Sequence, residues 1–220
     1  MTKLKEFTMS TARPLPVIVL ADVSGSMSAN GKIDALNDAV SEMVTTFAEE
    51  DDSRAEIHVS VIAFGRGGAS IHTSLRPARE TLWVPMEASG RTPMGEAFDL
   101  VRTMVEDRNT IPSRAYRPTL VLVSDGVPTD DWRGPLAELL KSERASKATR
   151  FAMGIGADAD HETLTAFLAN DEGRVFGAHE AREIKNFFRW VTMSVATRSR
   201  STNPNSVVMV EPTDLDDFDF

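Results

Sequence analysis

Short apolar runs alternate along the chain with longer segments whose apolar residues recur at helical spacing. Residues 17–21, 119–124 and 151–155 are almost continuously apolar, which is typical of parallel strands that are covered on both faces. Residues 57–64 alternate before they become continuously apolar, and they predict a further strand. A shorter strand is predicted over 174–176.

Apolar residues that repeat every three to four positions predict helices between these strands. The apolar positions of the predicted helices lie within 33–47, 94–105, 136–140, 164–168 and 184–195. Thr92 is expected at the N-cap of the second of these helices, with Pro93 as its first residue. The alternation of strands and helices predicts an α/β fold: a doubly wound, mostly parallel sheet with helices on both faces.

A glycine-rich turn at 65–68 separates the strand over 57–64 from a predicted strand over 69–75. A tight glycine turn between neighbouring strands is typical of a hairpin. We therefore expect one antiparallel edge strand on the otherwise parallel sheet. Residues 77–88 show no regular pattern, and Trp83 is assigned to no element.

Oxygen-bearing side chains follow two predicted strands at the point where each strand ends. Asp22, Ser24 and Ser26 come at alternate positions directly after the first strand, and Asp125 follows the strand that ends at residue 124. In doubly wound sheets, ligands bind beyond the carboxyl ends of the strands. Carboxylates and hydroxyls are hard oxygen donors, so the sequence predicts a site for a small divalent cation at this edge.

Each of these signals has a common structural explanation when it is taken alone. An Asp or Ser after a strand often caps the next helix, Thr92 fits a helix N-cap, and Asp125 before Gly126 fits a turn. Their combination in this order is more specific. Over residues 15–196 the chain resembles the von Willebrand factor A domain with its metal-ion-dependent adhesion site, in which an Asp-x-Ser-x-Ser loop, a Thr and an Asp form one centre.

The resemblance implies a role for each of the five residues. Ser24 and Ser26 would bind a metal directly, whereas Asp22, Thr92 and Asp125 would bind it directly or through water. Three hydroxyls, two carboxylates and water suit Mg²⁺ or Mn²⁺, and Ca²⁺ is less well matched. Because such a shell supplies little charge, the ion stays electrophilic at an open position, which an Asp or Glu carboxylate of a protein partner would fill.

Three longer motifs are similar to those of TerY-type proteins, which belong to bacterial tellurium-resistance and related stress gene clusters. They are 22–27 (Asp-Val-Ser-Gly-Ser-Met), 90–95 (Gly-Arg-Thr-Pro-Met-Gly) and 124–132 (Ser-Asp-Gly-Val-Pro-Thr-Asp-Asp-Trp). This narrower resemblance implies a cytoplasmic adaptor in a stress response, working beside kinase-like and phosphatase-like protein partners.

The composition excludes several classes of function. The chain has 24 basic and 33 acidic residues, a formal net charge of −9, and no basic stripe that would favour nucleic acid. It contains no cysteine, which excludes disulfides, thiolate metal sites and cysteine nucleophiles. No apolar run approaches the roughly 20 residues needed to cross a membrane. We therefore expect a cytoplasmic protein that binds neither nucleic acid nor membrane.

Familiar catalytic signatures are missing from the sequence. Residues 25–32 approach a phosphate-binding loop, but their glycine spacing is one residue too long and Ile33 stands where Ser or Thr is needed. There is no Gly-x-Ser-x-Gly elbow. Ser24 stands where a haloacid-dehalogenase-like phosphatase would need a second Asp, and the four histidines are scattered. We therefore expect a binding protein and not an enzyme.

The pattern divides the chain into an irregular segment over 1–11, a domain over 12–198 and an acidic tail over 199–220. Five of the last ten residues are acidic, and apolar residues stand between them. This tail supports a second hypothesis, a metal-independent scaffold in which the tail recruits partners and the Asp22 loop is only structural.

Overall fold

A single six-stranded sheet organises the part of the chain that the computed structural model describes, residues 12–50, 54–170 and 174–206. Its strands are β1 (Arg13–Asp22), β2 (Ala55–Gly65), β3 (Gly68–Pro77), β4 (Thr119–Ser124), β5 (Thr149–Ile155) and β6 (Val175–Ala178). The helices are α1 (Lys32–Glu49), α2 (Met94–Glu106), α3 (Arg133–Lys141), α4 (His161–Leu168) and α5 (Ala181–Arg200).

The strand order is β3-β2-β1-β4-β5-β6, and every neighbouring pair is parallel except β2 and β3. The predicted doubly wound sheet with one antiparallel edge strand is therefore confirmed. The hairpin between β2 and β3 turns through Gly67 and Gly68, whose φ angles of 85° and 104° favour glycine.

Two apolar layers cover the sheet. One layer packs β1 residues Leu15, Val17 and Val19 against α1 and α5, and the other packs Ile18 and Leu20 against α2, α3 and α4. Successive side chains of a strand point to opposite faces. Burial on both faces therefore explains why the β1 sequence is continuously apolar.

Strand β1 begins earlier than predicted and includes Pro14 and Pro16. It pairs with β2 from Arg13 onward but with β4 only from Val17 onward. The carbonyl of Pro14 accepts a hydrogen bond from the backbone N–H of Tyr116, so this residue faces the β4 side ahead of the β4 ladder. The two prolines therefore lie where the ladder does not require an N–H donor.

The loop between β3 and α2 is irregular, as predicted, except for one 3₁₀ turn over Ala78–Glu80. The Asn37 side chain holds it on α1: its amide donates to the Met86 carbonyl at 2.9 Å and its oxygen accepts from the Met86 N–H at 2.8 Å. Trp83 is partly buried against the core and lies edge-on to His72, with ring centroids 5.5 Å apart.

Helix α2 begins one residue later than predicted, at Met94, and its cap is different. The Asp130 carboxylate accepts from the N–H groups of Gly95 and Glu96, at 3.0 and 2.9 Å. A carboxylate 34 residues or more away in sequence therefore satisfies the first turn, and Thr92 is not the N-cap. Asp130 and the backbone of residue 131 approach Gly95 so closely that a Cβ there would find no room.

Thr129 ties the same two segments together immediately beside this cap. The Thr92 N–H donates to the Thr129 hydroxyl at 3.1 Å, and the Thr129 N–H donates to the Thr92 carbonyl at 2.9 Å. We call these contacts of Thr129 and Asp130 with residues 92–96 the loop clamp. The clamp fixes the segment that carries Thr92 against the segment that follows β4.

At its far end, α5 continues to Arg200, so the predicted domain end at residue 198 falls inside this helix. The Arg198 guanidinium is almost completely buried and donates to the Pro204 carbonyl, the Thr119 hydroxyl and the Arg117 carbonyl. Burial lowers the pKa of Arg198 to about 10, and the charge of Arg117 contributes. The predicted segments 1–11 and, from residue 207, the acidic tail lie outside the described residues.

No helix within the described ranges is both long and apolar enough to cross a membrane.

Replacing Arg198 with Met is expected to lower the free energy of unfolding by about 2–4 kcal/mol, because three acceptors, two of them buried, lose their donor. Urea denaturation measures the loss. Arg200→Met is the matched control: Arg200 lies in the same helix, is exposed and pairs with Glu50, so its loss should cost less than about 1 kcal/mol. Equal losses in the two variants would show that the buried contacts of Arg198 contribute no more to stability than the exposed ion pair of Arg200.

Asp130→Ala is expected to lower the free energy of unfolding by about 1 kcal/mol through loss of the α2 cap. The comparison is Asp99→Ala, which removes an exposed acid of α2 that pairs with the partly buried Arg102 and should change stability by less than about 0.5 kcal/mol. Thermal and urea unfolding of both variants test the role of the cap. An Asp130→Ala variant as stable as the wild-type protein would contradict it.

Candidate metal centre

Three loops meet at the carboxyl edge of the sheet, beyond β1 and β4. The first follows β1 and forms a distorted 3₁₀ segment over Gly25–Gly31, in which Asn30 and Gly31 adopt left-handed φ angles of 55° and 68° before α1 starts. The second precedes α2, and the third follows β4. The Gly25 N–H donates to the Gly90 carbonyl at 3.0 Å, which joins the first loop to the second. The loop clamp joins the second to the third.

Four of the five predicted site residues bring their oxygens together at this junction. The Ser24 and Ser26 hydroxyls are 2.9 Å apart, and the Ser26 hydroxyl donates to Asp125 Oδ1 at 2.7 Å. Thr92 Oγ1 and Ser26 Oγ lie 3.7 and 3.9 Å from the point that a Cβ on Gly126 would occupy. Gly126 therefore borders the space between the three loops, with both hydroxyls within contact distance of its Cβ position.

Asp22, the fifth residue, lies behind this group and is completely buried. Its Oδ1 accepts from the Ser24 N–H at 2.8 Å, and its Oδ2 accepts from the Ser124 hydroxyl at 2.6 Å. Residues 21 and 123 are partners in the β1–β4 ladder, so Asp22 and Ser124 are neighbours at the ends of parallel strands. Asp22 thus orients the start of the first loop through its hydrogen bond with the Ser24 N–H.

Burying the carboxylates of Asp22 and Asp125 close together costs free energy, because both lose contact with water and their negative charges repel each other. Burial raises the pKa of Asp22; hydrogen bonds from Ser124 and Ser24 oppose this, and the negative charge of Asp125 adds to it. Asp125 is itself only 1% exposed. A cation placed between the three loops would offset the free-energy cost of burying both carboxylates.

Lys32 already supplies one positive charge to this centre. Its ammonium lies 2.7 Å from Asp125 Oδ2, and its side chain is 20% exposed. In the sequence, Lys32 stands at the end of an incomplete phosphate-binding loop, which does not point to Asp125. Its position as the first residue of α1, where a cation opposes the helix dipole, was the signal that could have pointed to a nearby carboxylate.

The donor set fits a hard dication. It contains three hydroxyls and two carboxylates and no sulfur or imidazole, which matches the preference of Mg²⁺ and Mn²⁺ for oxygen. Within the described part of the chain no group of three or more His, Cys, Asp or Glu side chains could hold a metal. In the oxygen cluster at the three loops, by contrast, hydroxyls are the most numerous donors.

The described histidines have contacts elsewhere. His58 hydrogen-bonds with Glu56 and His72 with the Val84 carbonyl. His161 begins α4, and the His179 N–H donates to the Glu183 carboxylate. The candidate metal centre thus consists of hydroxyls, carboxylates and the Lys32 ammonium.

The sequence profile of the von Willebrand factor type A domain matches residues 17–127. This stretch makes up half of the chain and includes Asp22, Ser24, Ser26, Thr92 and Asp125. A search of curated proteins found no match.

Solved structures with the same fold come from diverse sources. A von Willebrand factor type A protein from Catenulispora acidiphila is 21% identical, with a TM-score of 0.65, and the match covers 86% of this chain and 43% of that one. Proximal thread matrix protein 1 from the mussel byssus, with a zinc-occupied MIDAS motif, is 18% identical, with a TM-score of 0.61 and coverages of 82% and 48%.

A third similar structure is the pilus adhesin SpaC from Lactobacillus rhamnosus GG in its open conformation. It is 16% identical, with a TM-score of 0.68, and the match covers 85% of this chain and 30% of the adhesin. The chain thus spans less than half the length of these proteins. At such identities the structures establish the shared fold, whereas the profile match establishes descent: the chain belongs to the von Willebrand factor type A domain family.

Proposed function

We propose that this chain is a non-catalytic adaptor that binds a protein partner through a divalent metal held at Asp22, Ser24, Ser26, Thr92 and Asp125. Domains of this family generally mediate protein–protein interaction. The observation that carries the proposal is the convergence of hydroxyls and carboxylates from three loops on one space beside Gly126.

Mg²⁺ or Mn²⁺ is the proposed metal. Both ions favour about six oxygen ligands, which three hydroxyls, carboxylate oxygens and water can supply. Ca²⁺ binds up to eight oxygen ligands and usually has more carboxylates among them. The zinc-occupied motif of the mussel protein supports occupation of this fold's site by a divalent ion. In this chain Ser24, Ser26 and Thr92 would hold the ion, with Asp22 and Asp125 supplying negative charge directly or through water.

The proposed occupant of the remaining position is an Asp or Glu carboxylate of the partner. Hydroxyl ligands donate little charge to a dication, so the ion retains affinity for an anion. The resemblance of the three longer motifs to TerY-type proteins extends the proposal to a cytoplasmic stress response with kinase-like and phosphatase-like partners.

Asp22→Asn and Thr92→Val are expected to weaken Mn²⁺ and Mg²⁺ binding by roughly 10-fold or more. Asparagine keeps an acceptor for the Ser24 N–H and a donor for Ser124, and valine keeps the shape of Thr92, so both variants should fold. Isothermal titration calorimetry measures the affinity. Thr103→Val, an exposed position of α2 whose hydroxyl bonds only the Asp99 carbonyl, is the control and should bind metal like wild type.

Metal should also stabilise the wild-type protein, by about 2.7 kcal/mol at 100 times the dissociation constant. The same Mn²⁺ concentration should stabilise Asp22→Asn much less. Equal stabilisation of both proteins would show that Asp22 does not contribute to metal binding. No heat of binding and no stabilisation of wild type by either metal would overturn the proposed function.

A partner test follows from the same variants. Affinity capture with the full-length chain should recover a protein that is lost both on chelation and in Asp22→Asn, because either change removes the electrophile that binds the partner. A partner retained under both conditions but lost when 211–220 is deleted would favour the scaffold hypothesis, in which the acidic tail recruits.

A further inference from the structure

Lys32 lies where simple helix electrostatics disfavours a cation. It is the first residue of α1, at the positive end of the helix dipole, and no side chain caps this helix. Its ammonium instead reaches across to β4 and lies 2.7 Å from Asp125 Oδ2. The other oxygen of that carboxylate accepts from Ser26, so one carboxylate is shared between the lysine and the oxygen cluster.

The ammonium lies beside the backbone of Gly156 as well as beside Asp125. Its Nζ lies 3.6 Å from the point that a Cβ on Gly156 would occupy, just beyond the end of β5. Among the described residues, Lys32 is the one basic side chain with an ion pair to a carboxylate of the metal centre. Arg66 and Arg91, which lie on the loops around the site, are exposed and belong to its rim.

This arrangement fixes the charge of the centre. Through its ion pair with Asp125, Lys32 places one positive charge beside the proposed metal position. The metal-loaded centre is therefore one charge more positive with the lysine than without it. Since the ammonium and the dication repel each other through a buried region, the lysine opposes metal binding and favours any anion that arrives afterwards.

We propose that Lys32 acts as a tethered cation that weakens metal binding and strengthens carboxylate binding to the metal-loaded site, an inference that rests on the metal-dependent function proposed above. Metal and carboxylate then bind cooperatively, since each relieves the unfavourable charge that the other leaves. Linkage requires the coupling to be reciprocal: a carboxylate tightens metal binding by the same factor as the metal tightens carboxylate binding.

Lys32→Gln tests this because glutamine keeps much of the length and removes the charge. The variant is expected to bind Mn²⁺ roughly 5-fold or more tightly than wild type, measured by calorimetry. Its Mn²⁺-loaded form should bind acetate more weakly by a similar factor, measured by the change in water-proton relaxation as acetate displaces water from the ion. Acetate stands in for a partner carboxylate.

Two further variants separate charge from packing. Lys32→Arg keeps the charge and should keep both affinities near wild type, whereas Lys185→Gln removes an exposed lysine that pairs with Asp38 on the α1–α5 side and should change neither. If Lys32→Gln and Lys32→Arg shift both affinities equally, packing and not charge is responsible, and the proposal fails. It fails as well if Lys32→Gln moves the two affinities in the same direction or moves neither.

These outcomes are distinct from failure of the metal site itself. If wild type and Asp22→Asn both bind no Mn²⁺, the proposed function is wrong. If wild type binds Mn²⁺, Asp22→Asn does not, and Lys32→Gln matches wild type in both titrations, the metal-dependent function stands and only the role of Lys32 is overturned.

Discussion

Two carboxylates buried side by side at the ends of neighbouring parallel strands are the constraint on which the rest of this structure depends. An isolated carboxylate removed from water is costly unless hydrogen bonds or a counter-charge satisfy it. Asp22 receives the Ser24 N–H and the Ser124 hydroxyl, and Asp125 receives the Ser26 hydroxyl and the Lys32 ammonium. These donors lie on the first loop, at the end of β4 and at the start of α1, so satisfying the two charges also builds the frame of the candidate metal centre.

The sequence alone predicted the fold because its signals are local. Strands buried on both faces are apolar throughout, and the glycines between β2 and β3 mark the hairpin. Asp22 and Asp125 could be assigned to the same edge because parallel strands present their carboxyl ends together. The start of α2 was wrong by one residue because its cap, Asp130, comes from the segment beyond β4 and no local pattern shows it.

The residues that sequence reasoning missed have the same property. Ser124 and Lys32 act on partners 102 and 93 residues away, and each alone resembles an ordinary strand end or helix start. Asn37 holds Met86 through a pair of hydrogen bonds that only the folded loop brings into register. Contacts of this kind follow from tertiary packing, so they can be assigned only once the strands have been placed.

The Arg198 contacts place the last described segment at the start of β4, next to Thr119, whereas Asp22 and Asp125 lie at the opposite ends of the strands. The last described residues, up to Ser206, therefore lie at the end of the sheet away from the candidate metal centre. A ligand bound beyond Asp22 and Asp125 and a contact made at Arg198 would therefore lie at opposite ends of the sheet.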